Sequence, residues 1–358
     1  MPTRIIQQLA EGKKQKMRCM LRFLLLASFF LSACLSVSPA PQPAPIKIGL
    51  VVMPGPISDG TLNQLAISGA RSAAEANGAE FAFRETSSPR DIEPAIESLA
   101  TEGFTHIVVA GPLGADATAL VAAGNPSLTF SVVNYSFDPA IPNVQGLIFR
   151  EDQSAYLAGA LAGMFSRSKI VGVVAGRDVP RVRKYRNGFE RGVNAVCPAC
   201  AAIGVYVNSA SDRAGGTMAA KRQIAAGADI IFGVDGETGE AAIVLAARQG
   251  FYVIGAETDA YLTTFAGGSA PGADRVLTSA INRADVAVRA SIEARLRGSF
   301  DSGTFVSDAS NGGIGLAPFH ALEASIPAAT VARLAGIAAG LAHGSIDTHI
   351  DQATGAVK

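Results

Sequence analysis

Ile46-Lys47-Ile48-Gly49-Leu50-Val51-Val52, then Met53-Pro54-Gly55-Pro56, then Thr61–Asn77: this stretch sets the architecture of the chain. The first segment reads as a buried strand and the Pro/Gly run ends it. The third has helical spacing, with Gly78 as its stop signal. The rhythm repeats. Phe81–Glu85, Thr105–Ala110 and Leu128–Val133 read as strands, and Asp91–Glu102 and Asp116–Ala123 as helices between them. In the second half, strands at Ile170–Ala175, Ile203–Val207, Ile230–Val234 and Tyr252–Ala256 alternate with helices near Asp152–Phe165, Val182–Val196, Ala214–Ala225 and Thr238–Arg248. Strands separated by helices predict parallel sheets with right-handed crossovers. Two such runs predict an α/β fold of two doubly wound parallel-sheet lobes. Ligands in such sheets bind beyond the carboxyl ends of the strands, so the crevice between the lobes is the expected site.

The N-terminus reads as an export signal. Lys13, Lys14, Lys16, Arg18 and Arg22 precede the apolar run Phe23–Leu31, and small residues with one cysteine follow in Leu31-Ser32-Ala33-Cys34. The apolar run is shorter than the roughly 20 residues that span a bilayer. The tetrad resembles the lipobox of bacterial lipoproteins. That resemblance implies a signal over residues 1–33, cleavage before Cys34, acylation of its thiol and a membrane anchor through lipid. Pro39, Pro41, Pro43 and Pro45 make residues 34–45 a lipidated cysteine and Pro-rich tether. In polyproline II form, at about 3.1 Å per residue, this tether reaches roughly 34 Å.

The remaining 325 residues carry 24 Lys/Arg against 29 Asp/Glu. A net acidic body argues against nucleic acid as a partner, because phosphate binding needs a basic patch. Cys197 and Cys200 form Cys-Pro-Ala-Cys. In an oxidising compartment a local disulfide leads; zinc would need about four ligands, and a thioredoxin-like role is the third reading. No histidine lies near this pair. His106, His320, His343 and His349 are scattered, and neither G-x-G-x-x-G nor G-x-S-x-G follows a strand. No catalytic set, metal site or cofactor is therefore expected, and the chain is read as a binding protein, not an enzyme.

Several motifs occur in order between Ile46 and Phe319. Ser58-Asp59-Gly60-Thr61-Leu62-Asn63-Gln64 follows the first strand. Phe149-Arg150-Glu151-Asp152-Gln153-Ser154-Ala155-Tyr156-Leu157-Ala158-Gly159 opens the second half. Arg183-Lys184-Tyr185-Arg186-Asn187-Gly188-Phe189, Gly227–Phe232, Val276-Leu277-Thr278-Ser279 and Asn311-Gly312-Gly313-Ile314-Gly315-Leu316 complete the series. Together they resemble the Bmp/PnrA family of substrate-binding lipoproteins, the extracytoplasmic partners of ABC importers. The resemblance implies a type I periplasmic-binding fold with three hinge crossings, an ABC permease as partner and a small polar ligand, a purine nucleoside foremost. A different polar metabolite, or ligand sensing without transport, is the alternative. It implies an N-terminal lobe of residues 46–142 plus about 262–308, and a C-terminal lobe of 143–261 plus about 309–358.

Carried over residue by residue, the resemblance assigns ligand contacts to Asp59, Asn63, Asn134, Gly236, Glu257 and Asn282. Asp59 and Thr61 are also suited to capping the helix that follows. Five positions depart from the family pattern: Asn134 and Glu257 each stand where the family has an aspartate, and three more follow. Leu62 replaces an aromatic in the first loop. A stacking aromatic is missing near Ala210, for which Tyr135, Tyr185 and Phe232 are the candidate substitutes. Asn282 replaces a lysine that would offset the carboxylate of Glu257, leaving Arg283 as the neighbouring cation.

Overall fold

The predicted alternation builds two six-stranded sheets. The computed structural model describes residues 46–58 and 60–358; the expected signal, Cys34, the whole tether and Asp59 lie outside the described residues. The first half runs β1 (Lys47–Val51), α1 (Leu62–Ala76), β2 (Glu80–Arg84), α2 (Ile92–Thr101), β3 (His106–Val109), α3 (Ala115–Gly124), β4 (Thr129–Val133) and β5 (Val144–Phe149). There follow α4 (Glu151–Phe165), β6 (Ile170–Ala175), α5 (Pro180–Val196), β7 (Ala201–Tyr206), α6 (Arg213–Ala225), β8 (Ile230–Val234), α7 (Gly236–Arg248) and β9 (Tyr252–Glu257). The last third holds β10 (Val276–Asn282), α8 (Ala284–Leu296), β11 (Gly303–Ser307), β12 (Ile314–Leu316) and α9 (Ala328–Ala342).

The first sheet has the order β2-β1-β3-β4-β5-β11 and is parallel throughout. The second repeats that order as β7-β6-β8-β9-β10-β12, with β12 alone antiparallel. In both, strand order reverses beside the first strand of the set. These switch points open a crevice at the carboxyl ends. Helices cover both faces of each sheet, so the strands read as continuous apolar runs. Ile48, Leu50 and Val108 pack on one face of the first sheet with Ala66 and Ala70 of α1; Val51, Ile107 and Val109 pack on the other with Ile96 and Leu99 of α2. In the second sheet Val173 and Phe232 meet Tyr185 and Phe189 of α5, while Val174 and Ile231 meet Ala242 and Ile243 of α7.

The chain crosses between sheets three times. β5 lies in the first sheet, yet α4, which follows it directly, packs against α5 and β10 of the second. β10 lies in the second sheet, yet α8 packs against α1, β3 and β4 of the first. The third crossing joins β11 to β12. The first two crossings are built alike. The Arg150 guanidinium clasps Asp152 through Nε (2.9 Å) and Nη2 (2.8 Å), and its backbone N–H donates to Ser307 O (2.8 Å). Arg283 clasps Asp285 at 2.9 and 2.7 Å, and its N–H donates to Gly313 O (2.9 Å). Each aspartate then seats a glycine of the opposing helix. A Cβ at Gly188 of α5 would overlap the Asp152 carbonyl oxygen, and one at Gly69 of α1 would overlap that of Asp285.

Strand pairing corrects the lobe boundaries drawn from sequence. β5, placed with residues 143–261 in the C-terminal lobe, lies in the first sheet with Val144 opposite Phe130. β10, placed with residues 262–308 in the N-terminal lobe, lies in the second with Ser279 opposite Gly255. The crossings come after these strands, at Arg150 and Arg283, because each strand completes the ladder of its own sheet before the chain leaves. Cys197 and Cys200, between α5 and β7, are joined by a disulfide.

Two predictions follow from this packing. Gly188→Ala overpacks the α5–Asp152 contact and should cost about 1–3 kcal/mol. Gly336→Ala on α9, where a Cβ meets open space, should stabilise by about 0.5–1 kcal/mol. Denaturant melts of the two variants should shift in opposite directions; a shared sign would remove the close-approach explanation. The second concerns His106, fully buried on β3 beside Thr129 Oγ1 (2.9 Å). Burial holds its imidazole down at about 3, against an ordinary 6.5. The unfolded chain therefore takes up the proton first. The stabilisation is whole above pH 6.5 and drains as pH falls toward 3, by about 1.4 kcal/mol per unit. Unfolding free energies at several pH values should show a shallower acid loss in His106→Gln than in the parent.

Candidate functional site

The loops at the carboxyl ends of the two sheets converge with the first turns of α5. Val179 has extended backbone and Pro180 occupies the first helical position, where its fixed φ and missing N–H suit a helix start. Arg181, Lys184, Tyr185 and Gly188 then share one helical face. Gly188 brings that face down onto Asp152, so Arg181 and Lys184 are held where both sheets end.

Arg177, Asp235, Arg181 and Glu257 form a ladder of alternating charge. Arg177 grips Asp235 through Nε (2.9 Å), Nη2 (2.8 Å) and its backbone N–H (2.9 Å). Arg181 lies 3.6 Å from Asp235 and 2.8 Å from Glu257. Burial pushes the Asp235 carboxyl up, but the hydrogen bonds and charge of Arg177 outweigh it and hold the group below its ordinary range. Glu257 raises Arg181 above its already high value. Beside the ladder Lys184 Nζ pairs with Glu151 at 2.5 Å, the two residues being 7% and 3% exposed. Burial pushes the Glu151 carboxyl up, and Lys184 opposes it. The Tyr185 hydroxyl is buried next to Asn282, and desolvation raises it well above the usual phenol value.

Two cavities adjoin the ladder. The larger, about 580 Å³, is lined by Pro112, Asn134, Tyr135, Ser136, Ile148 and Glu151 on the side of the first sheet. Arg177, Val179, Pro180, Arg181, Lys184 and Gln352 line the other side. The smaller, about 120 Å³, is lined by Asp235, Gly236, Glu240, Glu257, Thr258 and Thr263, among others. The cations of the ladder thus face the larger space and its acids face the smaller. A cavity of about 730 Å³ beside Gly60, Leu262, Arg283 and Phe319 is larger than either, and one of about 520 Å³ lies between β7 and α6; among the described residues, none predicted to contact ligand lines either of them.

The predicted residues fall into three groups. Asn134, Gly236 and Glu257 line the two adjoining cavities. Asn134 and Glu257 take left-handed backbone, at φ 60° and 72°, which turns each side chain at its strand end. The Oδ1 of Asn134 is buried and without a hydrogen-bond partner among the described residues. Asn282 is 4% exposed beside Tyr185, its Oδ1 also unpartnered. Asn63 is used by its own loop: Oδ1 accepts from Met53 N–H (3.0 Å), and Nδ2 donates to Met53 O (2.8 Å) and Pro56 O (3.2 Å). Thr61 caps α1 through Gln64 N–H. Leu62 packs against the first-sheet core.

The candidate substitutes also sort themselves. Arg283 is committed to Asp285, so the cation facing Glu257 is Arg181, from a different element. Of the three aromatics, Tyr185 and Phe232 are fully buried, Phe232 stacked on Phe189 at 4.6 Å. Tyr135 alone lines the 580 Å³ cavity, braced edge-on by Phe137 at 4.8 Å. Sequence reasoning missed Arg177, Arg181, Lys184 and Glu151. The available signal was the i, i+3, i+4, i+7 face of Arg181, Lys184, Tyr185 and Gly188, which carries two cations where an ordinary buried face would be apolar.

Two largely parallel sheets of equal order, three crossings and a polar cavity lined from both define a solute-binding architecture. The chain belongs to the Bmp family, described as ABC transporter substrate-binding protein PnrA-like, whose sequence profile matches residues 46–329. Basic membrane protein A of Borreliella burgdorferi is 28% identical over 251 residues, covering 69% of this chain and 73% of that protein. The CD4+ T-cell-stimulating antigen of Listeria monocytogenes is 25% identical over 311 residues, covering 82% and 87%. Among solved structures, an ABC transporter solute-binding protein from Conexibacter woesei superposes with TM-score 0.68 and 25% identity over 84% of this chain and 98% of that one. One from Aeropyrum pernix gives 0.63 at 22% identity over 85% and 93%, a likeness of fold. No helix among the described residues is long and apolar enough to cross a membrane.

The buried pair yields a prediction. Lys184→Met leaves Glu151 without its partner and should destabilise by about 3–5 kcal/mol, whereas Lys184→Met with Glu151→Leu should recover most of the loss. Equal destabilisation in the single and double variants, measured by urea unfolding, would show that packing and not charge pairing governs this position.

Proposed function

We propose that this protein is an extracytoplasmic solute-binding lipoprotein of an ABC importer, anchored through Cys34, that captures a small polar ligand, a purine nucleoside foremost, in the crevice between its two lobes. The observation that carries the reading is the 580 Å³ cavity, of the size that small-molecule sites occupy. It joins an aromatic face at Tyr135, an unsatisfied amide oxygen at Asn134 and a wall of charged groups. Asn134 can accept a hydrogen bond from an exocyclic amine or a ring N–H. Tyr135 offers a face for a planar base, and such stacking is a main source of affinity for bases. Glu257 accepts from hydroxyls, with Arg181 offsetting its charge. No chemical step is needed. A ligand that touches both lobes favours the arrangement in which they are closed on it, and the transporter reads that arrangement.

One observation favours a second reading, a polar metabolite other than a nucleoside. The carboxylate of Glu257 is already paired at 2.8 Å, which leaves less of it for a ribose diol.

Thermal-shift screening of the body from residue 46 onward, against nucleosides, free bases, sugars and amino acids, tests both. The chain has no Trp, so an extrinsic dye is required. A rise in melting temperature with nucleosides alone supports the first reading. Silence of every nucleoside alongside a response to another class overturns it. Glu257→Ala should raise the Kd of whichever ligand responds by at least about tenfold, equivalent to about 1.4 kcal/mol, while the melt stays cooperative.

A further inference from the structure

The chain ends in an ordered turn that lies beyond the residues matched by the family profile, which stop at 329. After α9, residues 349–358 fold back on themselves. Ile350 and Val357 form an antiparallel bridge, Asp351 and Ala356 are joined by a backbone hydrogen bond of 2.8 Å, and Lys358 N–H donates to His349 O at 2.8 Å. The turn is fastened to the site from three directions. Thr348, 1% exposed, donates to Asp152, the aspartate of the first crossing. Asn187 of α5 donates to Gly355 O at 2.7 Å. Gly355, at φ 71°, lies so close to the first turn of α5 that a Cβ there would overlap Pro180 O. Ile350 is buried beneath the turn.

These anchors point the tip of the turn at the 580 Å³ cavity. Gln352 lines it beside Arg177, Arg181 and Lys184, with Asn134 and Tyr135 in the wall contributed by the first sheet. Its Nε2 donates to Ile350 O at 3.0 Å, and its Oε1 accepts no hydrogen bond from a described residue. The division of labour is the telling point. Thr348, Asn187, Gly355 and Ile350 hold the turn, while Gln352 is exposed and contributes only one bond within its own turn. The backbone that carries this side chain into a ligand-sized space is already fixed, so ligand binding costs only the ordering of the Gln352 rotamers.

We propose that the C-terminal turn is a wall of the binding site and that Gln352 is a ligand-contacting residue, its carboxamide hydrogen-bonding the polar edge of a ligand held opposite Asn134 and Tyr135. The proposal rests on the 580 Å³ cavity being the ligand site; it does not depend on the ligand being a nucleoside. It assigns part of the specificity to residues outside the span that the family profile covers.

The test is isothermal titration of the full chain and of Gln352→Ala with whichever members of the nucleoside, base, sugar and amino-acid panel the parent binds. The expected result is a Kd raised about five- to tenfold, as for loss of one hydrogen bond in a binding site, with the melting temperature of the free protein unchanged. Equal affinities of parent and variant for a bound ligand overturn the role of Gln352 and leave the site reading standing. A parent that binds no member of the panel overturns the site reading and this proposal with it. A variant that melts markedly lower without ligand would make Gln352 a structural residue and would also overturn the proposal.

Discussion

Two aspartates, Asp152 and Asp285, hold this molecule together where it is most vulnerable. Each stands two residues past the arginine at which the chain leaves one sheet for the helices of the other. Each is clasped bidentately by the arginine two residues before it, a geometry that fixes planar orientation as well as charge. Each backbone carbonyl seats a glycine of the opposing helix, Gly188 of α5 or Gly69 of α1. If either clasp were displaced, α5 or α1 would lift from its bed. The position of Arg181 and Lys184 depends directly on the first of these contacts. The repetition of the device at both crossings follows from the repeated strand order: two copies of one topology meet the same mechanical problem and carry the same residue types where they meet it.

The electrostatics of the crevice follow from that placement. Glu151, Asp235 and Glu257 all lie at strand ends, where a parallel sheet leaves room for polar groups but little water. Glu151 and Asp235 are almost fully buried, and unpaired each would cost several kcal/mol. α5 answers all three with Lys184 and Arg181, helped by Arg177 just before it. The crevice is therefore polar, well supplied with donors and acceptors, and nearly neutral as a whole. Such a surface suits ligands recognised by the pattern of their hydrogen bonds, since a strongly charged ligand would have to displace an existing partner. The carboxylates by themselves would repel an anion; paired with Arg177, Arg181 and Lys184 they do not carry that bias.

Much of the architecture was legible beforehand. Ile46–Val52, Thr105–Ala110 and Ile230–Val234 announce themselves by length and apolarity, and Gly78 and Gly103 mark helix ends. The lobe boundaries were not legible. Val144–Phe149 and Val276–Asn282 have the local character of any buried strand, and nothing within them states which sheet they join. Register with Phe130 or with Gly255 is a long-range property. The site was legible in part. Asn134, Gly236 and Glu257 stand at strand ends, where topology alone directs attention. Asn63 has the right position but spends its amide on the backbone of Met53 and Pro56, a use visible only once the loop is folded.

By itself the sequence determined the strand-helix rhythm, hence the parallel sheets, and the crevice at their carboxyl ends, because apolar periodicity and turn residues act over short distances. It also carried the ordered motifs by which the family is known. Only the tertiary structure decided which charges meet. Arg181 and Glu257 are separated in sequence by three strands of the second sheet, β7 to β9, and Gln352 comes from a turn that follows α9. Their proximity is set by the seating of Gly188 on Asp152 and of Gly355 on Pro180. Contacts of that kind depend on the summed geometry of many elements, and no local pattern of residues encodes them.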